Sequence, residues 1–112
     1  MKTVSSIKWT EITIDHIAMH AVSVDEVEEV CFNEDEPPLI RSGGGNLHYI
    51  FGKSYSGRML FIVTRFIRRG EIVIITARDM NEWEKKYYKR GGKKYEKDTS
   101  IQDRQRGCRV LG

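Results

Sequence analysis

The chain is poor in the residues that would tie it to a cofactor, a membrane or a disulfide framework. It has two cysteines among 112 residues, Cys31 and Cys108, far apart in sequence. Cys31 falls in an apolar-periodic segment and Cys108 in a polar stretch, so both read as free thiols of a reducing compartment, the cytoplasm. There is no CxxC pair and no close His/Cys cluster, so zinc is not expected, and no other metal or cofactor is called for. No apolar run approaches the ~20 residues that span a bilayer, so no membrane partner is expected. Met1 to Trp9 hold no apolar stretch of the secretion-signal kind. There is no Walker loop, nucleotide fingerprint or nucleophile elbow. Gly43-Gly44-Gly45 lacks the strand–helix context and trailing Lys-Ser/Thr of a phosphate loop.

What is present is charge, unevenly placed. Residues 1–84 carry 9 Lys and Arg against 13 Asp and Glu, a net −4; residues 85–112 carry 10 against 3, a net +7. The acidic side is concentrated in Asp25, Glu26, Glu28, Glu29, Glu34, Asp35 and Glu36. Such a dipolar chain suits a polyanion partner at one end and a cationic partner at the other. The plainer alternative is a solvated helix face and a solubilising tail.

The length supports one hydrophobic core. Ile7 and Trp9 mark a short ordered lead-in. Ile14, Ile17, Ala18 and Met19 have the spacing of a short helix that Thr13 could cap. Ser23 and Glu26 form a capping box, followed by Val24, Val27, Val30 and Cys31 at helical spacing. This second helix is expected to end near Phe32, ahead of Pro37-Pro38. Leu39 to Leu47 reads as a loop or hairpin turn. Three strands follow, over 48–51, 59–66 and 71–77, with short turns between them. Short turns predict an antiparallel meander, because parallel strands need long crossovers. Strict alternation would put Ile72, Ile74, Thr76 and Arg78 on one face and Val73, Ile75 and Ala77 on the other. Asp79 and Glu82 read as a second capping box. Met80, Trp83 and Tyr87 then form the apolar stripe of a third helix that stops at Gly91-Gly92. The expectation is an α+β domain over 1–92 and a basic, mobile tail over 93–112.

Several residues could carry chemistry. Arg65 and Arg78 end or flank strands, where a guanidinium near a helix start can bind an oxyanion. The alternative is two arginines whose stems cover the core edge and whose heads stay wet. His16 and His20 are four apart and could share a metal, but no third ligand is close. Proton transfer is the more useful role for His20. Tyr88, with Lys85, Lys86, Lys89 and Arg90, combines a ring for stacking with cations for a phosphate backbone, a pattern suited to unpaired RNA.

These residues resemble a family. His20-Ala21-Val22-Ser23 before Asp25-Glu26, Tyr49-Ile50-Phe51-Gly52, Gly57 to Val63, and Ile74 to Met80 followed by Glu84 and Tyr87-Tyr88 resemble, in order and spacing, the BrnT-type toxins of bacterial toxin–antitoxin pairs. Their fold is similar to the RelE-like ribonucleases. The resemblance covers roughly residues 7–90. It implies two N-terminal helices, a small antiparallel sheet and a C-terminal helix. It implies an endoribonuclease that inhibits translation, is neutralised by a cognate antitoxin, and binds operator DNA as the pair. Arg65 and Arg78 match the family's functional arginines. The expected chemistry is metal-independent attack by a ribose 2′-hydroxyl, with Arg65 and Arg78 on the phosphate, His20 moving the proton with Tyr88 or Lys86 as alternatives, and Arg58 among the RNA contacts. Two departures stand out. Trp9 is followed by Thr10-Glu11-Ile12-Thr13 without the usual lysine, and Ala21 replaces the usual glycine. The rival expectation is a non-catalytic module that binds nucleic acid or protein.

Overall fold

A computed structural model describes residues 4–91. The expected tail over 93–112, with Cys108, lies outside them. Along the chain run β1 (Ser6–Lys8), α1 (Glu11–Ala18), α2 (Val24–Phe32), β2 (Leu39–Gly44), β3 (Leu47–Lys53), β4 (Met59–Arg68), β5 (Glu71–Asp79) and α3 (Glu82–Lys89). The domain is α+β, and its sheet has the order β1-β5-β4-β3-β2.

Side-chain caps set the helix starts. Ser23 and Glu26 make the expected reciprocal box, which satisfies two N–H groups that the helix itself leaves open. For α1 the cap is Thr10, whose hydroxyl accepts from the Thr13 N–H, and not Thr13 itself. For α3 the cap is Asn81 with Glu84, and not Asp79 with Glu82. Two overlapping boxes stand in the sequence, and Asp79 is engaged elsewhere, by Arg58 at 2.7 Å. Gly91 closes α3 in the left-handed conformation, at φ 70°.

β2, β3, β4 and β5 form the antiparallel part of the sheet. The segment expected to be a loop is β2, a full edge strand whose glycine-rich end hid its pattern. At the other edge β1 pairs parallel to β5, so the sheet is mixed. The crossover that such pairing needs exists after all, because the whole of α1 through β4 separates the two strands. The Ser5 and Ser6 N–H groups both donate to the Gly70 carbonyl in the β4–β5 turn. Gly70 has φ 75°, and a Cβ there would run into the Ser5 hydroxyl.

α1 and α2 carry the chain across one face of the sheet, from the β1 edge to the β2 edge. Ile17, Val27 and Val30 meet Ile50, Leu60, Ile62 and Ile72 there, all with no exposed surface. Each such side chain stabilises the fold by about 1.5–3 kcal/mol. Gly52 lets α2 approach, since a Cβ would come within 2.7 Å of Val30 Cγ1. Cys31 is buried in this core as a free thiol, pushed up to about 12 by burial and by the charge of Glu28.

β5 does not alternate strictly. Thr76 faces Val63 and Ile74 faces Thr64, which leaves Ile75 as an extra, bulged residue. The bulge flips the parity. Ile72, Ile74 and Ala77 are buried under the helices, while Thr76 and Arg78 join Val73 on the second face. Among the described residues, that face is covered only at one end, by α3.

Candidate functional site

The uncovered face is built from alternate residues of β3 and β4 with the last turn-ward residues of β5. Register places Tyr49 opposite Val63, Phe51 opposite Phe61, and Phe61 opposite Arg78. The rings form a chain of contacts. Tyr49 lies 5.5 Å from Phe61, Phe61 5.1 Å from Phe51, Phe51 5.2 Å from Tyr87, and Tyr87 5.3 Å from Trp83. Trp83 stacks almost parallel on Tyr87, at 8°, yet is 61 % exposed. The expected stripe on α3 therefore splits: Met80 is buried, Tyr87 is half-buried, and Trp83 stands in solvent. A cavity of ≈ 550 Å³ lies among these rings, with Arg41, Glu84 and Arg90 in its wall.

Arg78 sits at the β5 edge of this face, opposite Phe61. The bulge at Ile75 turns it here, and its guanidinium carbon lies 4.5 Å from the Phe61 ring centroid. Its Nη1 donates to Glu84 Oε1 and its Nη2 to Glu84 Oε2, each at 2.8 Å. Nη1 also donates to the Asp79 carbonyl at 3.0 Å. Glu84 is buried, and its Oε1 accepts in addition from the Asn81 N–H at 2.9 Å. One carboxylate thus starts the helix and fixes the arginine. Burial pushes the Glu84 carboxyl up, but the Arg78 and Asn81 bonds and the Arg78 charge outweigh it and hold it below the usual range. The Glu84 bond raises Arg78 above its ordinary value despite some burial. Arg41, on β2, donates from Nε to the Tyr87 hydroxyl at 3.1 Å. Its contact with α3 fixes the far wall of the cavity.

The residues expected from sequence do not gather here as a set. Arg65 shares the face with Arg78 but lies four ladder positions away, roughly 13 Å along β4. It is exposed, and the two guanidinium groups share no hollow. His20 follows α1, on the helix-covered side; its ring lies 5.8 Å from that of His16, and both residues are exposed. Tyr88 points to a separate cavity with Glu36, Pro38, Lys53 and Lys89. Burial and the Glu36 charge raise its hydroxyl above the ordinary value. Lys85 pairs with Glu82 at 3.5 Å, and Lys86 and Lys89 are exposed. Among the described residues no three carboxylate, imidazole or thiol groups converge.

Arg58, expected on RNA, is engaged within the fold as a structural tie. It donates to Glu26 at 2.9 Å, Asp79 at 2.7 Å, the Ala21 carbonyl at 2.7 Å and the His20 carbonyl at 3.4 Å. It binds the α1–α2 turn to the ends of β4 and β5. The Asp79 bond raises its pKa most; burial opposes the rise, and the Glu26 bond and the two carboxylate charges add to it. Asp79 is lowered in return, chiefly by the Arg58 bond.

Sequence reasoning missed Arg41, Tyr49, Phe61 and Trp83 as site residues. Alternation along β3 and β4 carried a signal for the two strand rings. Nothing local pointed to the meeting of β2 with α3. Comparison of the chain with protein-family models, with curated proteins and with solved structures finds no match.

Proposed function

We propose that the chain is a toxin-like, metal-independent endoribonuclease of the BrnT type with a RelE-like fold, acting on RNA through the open face of its sheet. The observation that carries this reading is the run of five rings flanked by the guanidinium groups of Arg41, Arg78 and Arg90. Unpaired bases stack on such rings while cations hold the phosphates. A ribose 2′-oxygen would attack the adjacent phosphorus, leaving a 2′,3′-cyclic phosphate and a 5′-hydroxyl end. Arg78, immobilised before substrate arrives, would stabilise charge developing on the phosphate oxygens. His20 lies on the helix-covered side and Tyr88 lines a different cavity, so the proton-transfer groups to be tested first are Tyr49 and Tyr87. The Tyr87 oxygen accepts from Arg41, so its O–H can be turned toward a substrate oxygen. A cognate antitoxin would act by covering this face, and operator DNA would be bound by the pair. RNA carrying a single 2′-deoxy position tests the chemistry. Cleavage should vanish at that position alone; normal cutting there excludes 2′-hydroxyl attack.

A second reading is favoured by the pairing of Arg78 with Glu84, which neutralises its charge. The face would then serve a non-catalytic binding module. Its nucleic-acid affinity would fall steeply with salt and survive loss of Arg78.

A further inference from the structure

Arg78 uses only one of its two hydrogen-bonding edges. A guanidinium carries five N–H donors in a plane. Three are engaged: both Nη1 donors, on Glu84 and the Asp79 carbonyl, and one Nη2 donor, on Glu84. The Nε–H and the second Nη2–H have no partner among the described residues. These two lie parallel on the same edge and match the spacing of two oxygens on one phosphate. The Phe61 ring lies beneath the group, and Glu84 fixes its rotation. Trp83, next to Glu84 in the chain, lines a cavity together with Phe61 and Glu84, the two residues that hold Arg78, and turns one ring face to Tyr87, leaving the other uncovered by it.

We infer that this corner is a one-nucleotide subsite: the free Nε/Nη2 edge of Arg78 takes two non-bridging oxygens of one phosphodiester, and the attached unpaired base stacks on the outer face of Trp83. The inference rests on the RNA reading above and names where one nucleotide sits. Glu84 is a positioning residue here. Its carboxylate holds the end of the guanidinium, so no conformational freedom remains for the phosphate to freeze out. Because Arg78 and Glu84 neutralise each other, the long-range pull on the anion comes from Arg41 in the wall of the neighbouring cavity. The free edge supplies direction and not net charge. A lysine in place of Arg78 would carry the same charge without the fork.

The test is a fluorescence titration of the full chain with a short 2′-O-methyl RNA, which cannot be cut by 2′-hydroxyl attack. Saturable quenching is expected in the parent and should be lost in Trp83→Leu, with affinity reduced about 5- to 100-fold. The remaining tryptophan, Trp9, lies half-buried and bonded to Glu28, and serves as the internal control. Arg78→Lys should weaken binding about tenfold despite its retained charge. Trp83 is exposed, so its loss leaves the fold intact and the assay readable even if an Arg78 variant were unstable. Parent-like affinity in Trp83→Leu, parent-like affinity in Arg78→Lys, or a parent that neither binds nor quenches would each overturn the subsite. RNA binding and cleavage that persist without dependence on Trp83 would overturn it while leaving the ribonuclease reading standing.

Discussion

The Arg78 guanidinium and the Glu84 carboxylate meet edge to edge through two bonds of 2.8 Å, and the same carboxylate accepts from the Asn81 N–H at the start of α3. The helix that covers one end of the sheet is therefore docked by the arginine on which the proposed chemistry depends.

That coupling gives a pH dependence. Glu84 and Glu26 are both held below the ordinary glutamate value of 4.5, because bonds to arginine and to backbone N–H groups outweigh burial. A carboxyl lowered in the folded state adds stability above its unfolded value. That stability is lost as pH falls through the folded value. Urea midpoints should therefore hold steady above about pH 5 and fall progressively below the ordinary glutamate value. Glu84→Gln keeps a residue that still completes a capping box. It should flatten the acid slope and cost about 1–2 kcal/mol near neutrality through the lost charge-assisted bonds. An unchanged slope in that variant would contradict the assignment.

Ala21 is the described non-glycine residue with positive φ, at 59°. An alanine there is strained by roughly 1–2 kcal/mol, against about 0.5–1 kcal/mol of extra chain entropy for glycine. Ala21→Gly should raise stability by about 0.5–1 kcal/mol in thermal or urea unfolding. A loss of stability would show that the turn is not strained.

Arg58→Ala should destabilise by about 2 kcal/mol, since it removes bonds to two carboxylates and two carbonyls at a partly exposed site. Its RNA affinity should fall only as far as its folded fraction falls. A well-folded variant that has lost RNA binding would restore Arg58 to the contact surface.

Arg65→Ala should keep the parental melting temperature and lower RNA affinity by no more than a factor of a few, the effect of one screened surface charge. His20→Ala should leave the rate and its pH profile unchanged. Loss of activity in either variant, measured by gel-resolved cleavage, would mean that the substrate reaches well beyond the Arg78 corner.

Much of this architecture was legible in sequence where a pattern is local. The Ser23–Glu26 box, the stop before Pro37-Pro38 and the apolar run of β4 each depend on neighbours a few residues apart. Three features depend on distant partners and were not. β1 is three residues long and pairs through a crossover made of most of the domain. The Ile75 bulge adds one residue and reverses every assignment of facing after it. Asp79 matched a helix cap until Arg58 claimed it. The site followed the same rule. Arg78 could be read from its place at a strand end, but its partner Glu84 and the wall formed by Arg41, Tyr87 and Trp83 required β2 and α3 to be brought together.

The most direct measurement is end-mapping of single-stranded RNA incubated with the purified full chain in the presence of a metal chelator, beside the Arg78→Ala variant. The parent should produce 2′,3′-cyclic phosphate and 5′-hydroxyl ends, and the folded variant should produce almost none. Absence of cleavage by the parent, or the same cuts at the same rate from the variant, would contradict a ribonuclease centred on Arg78.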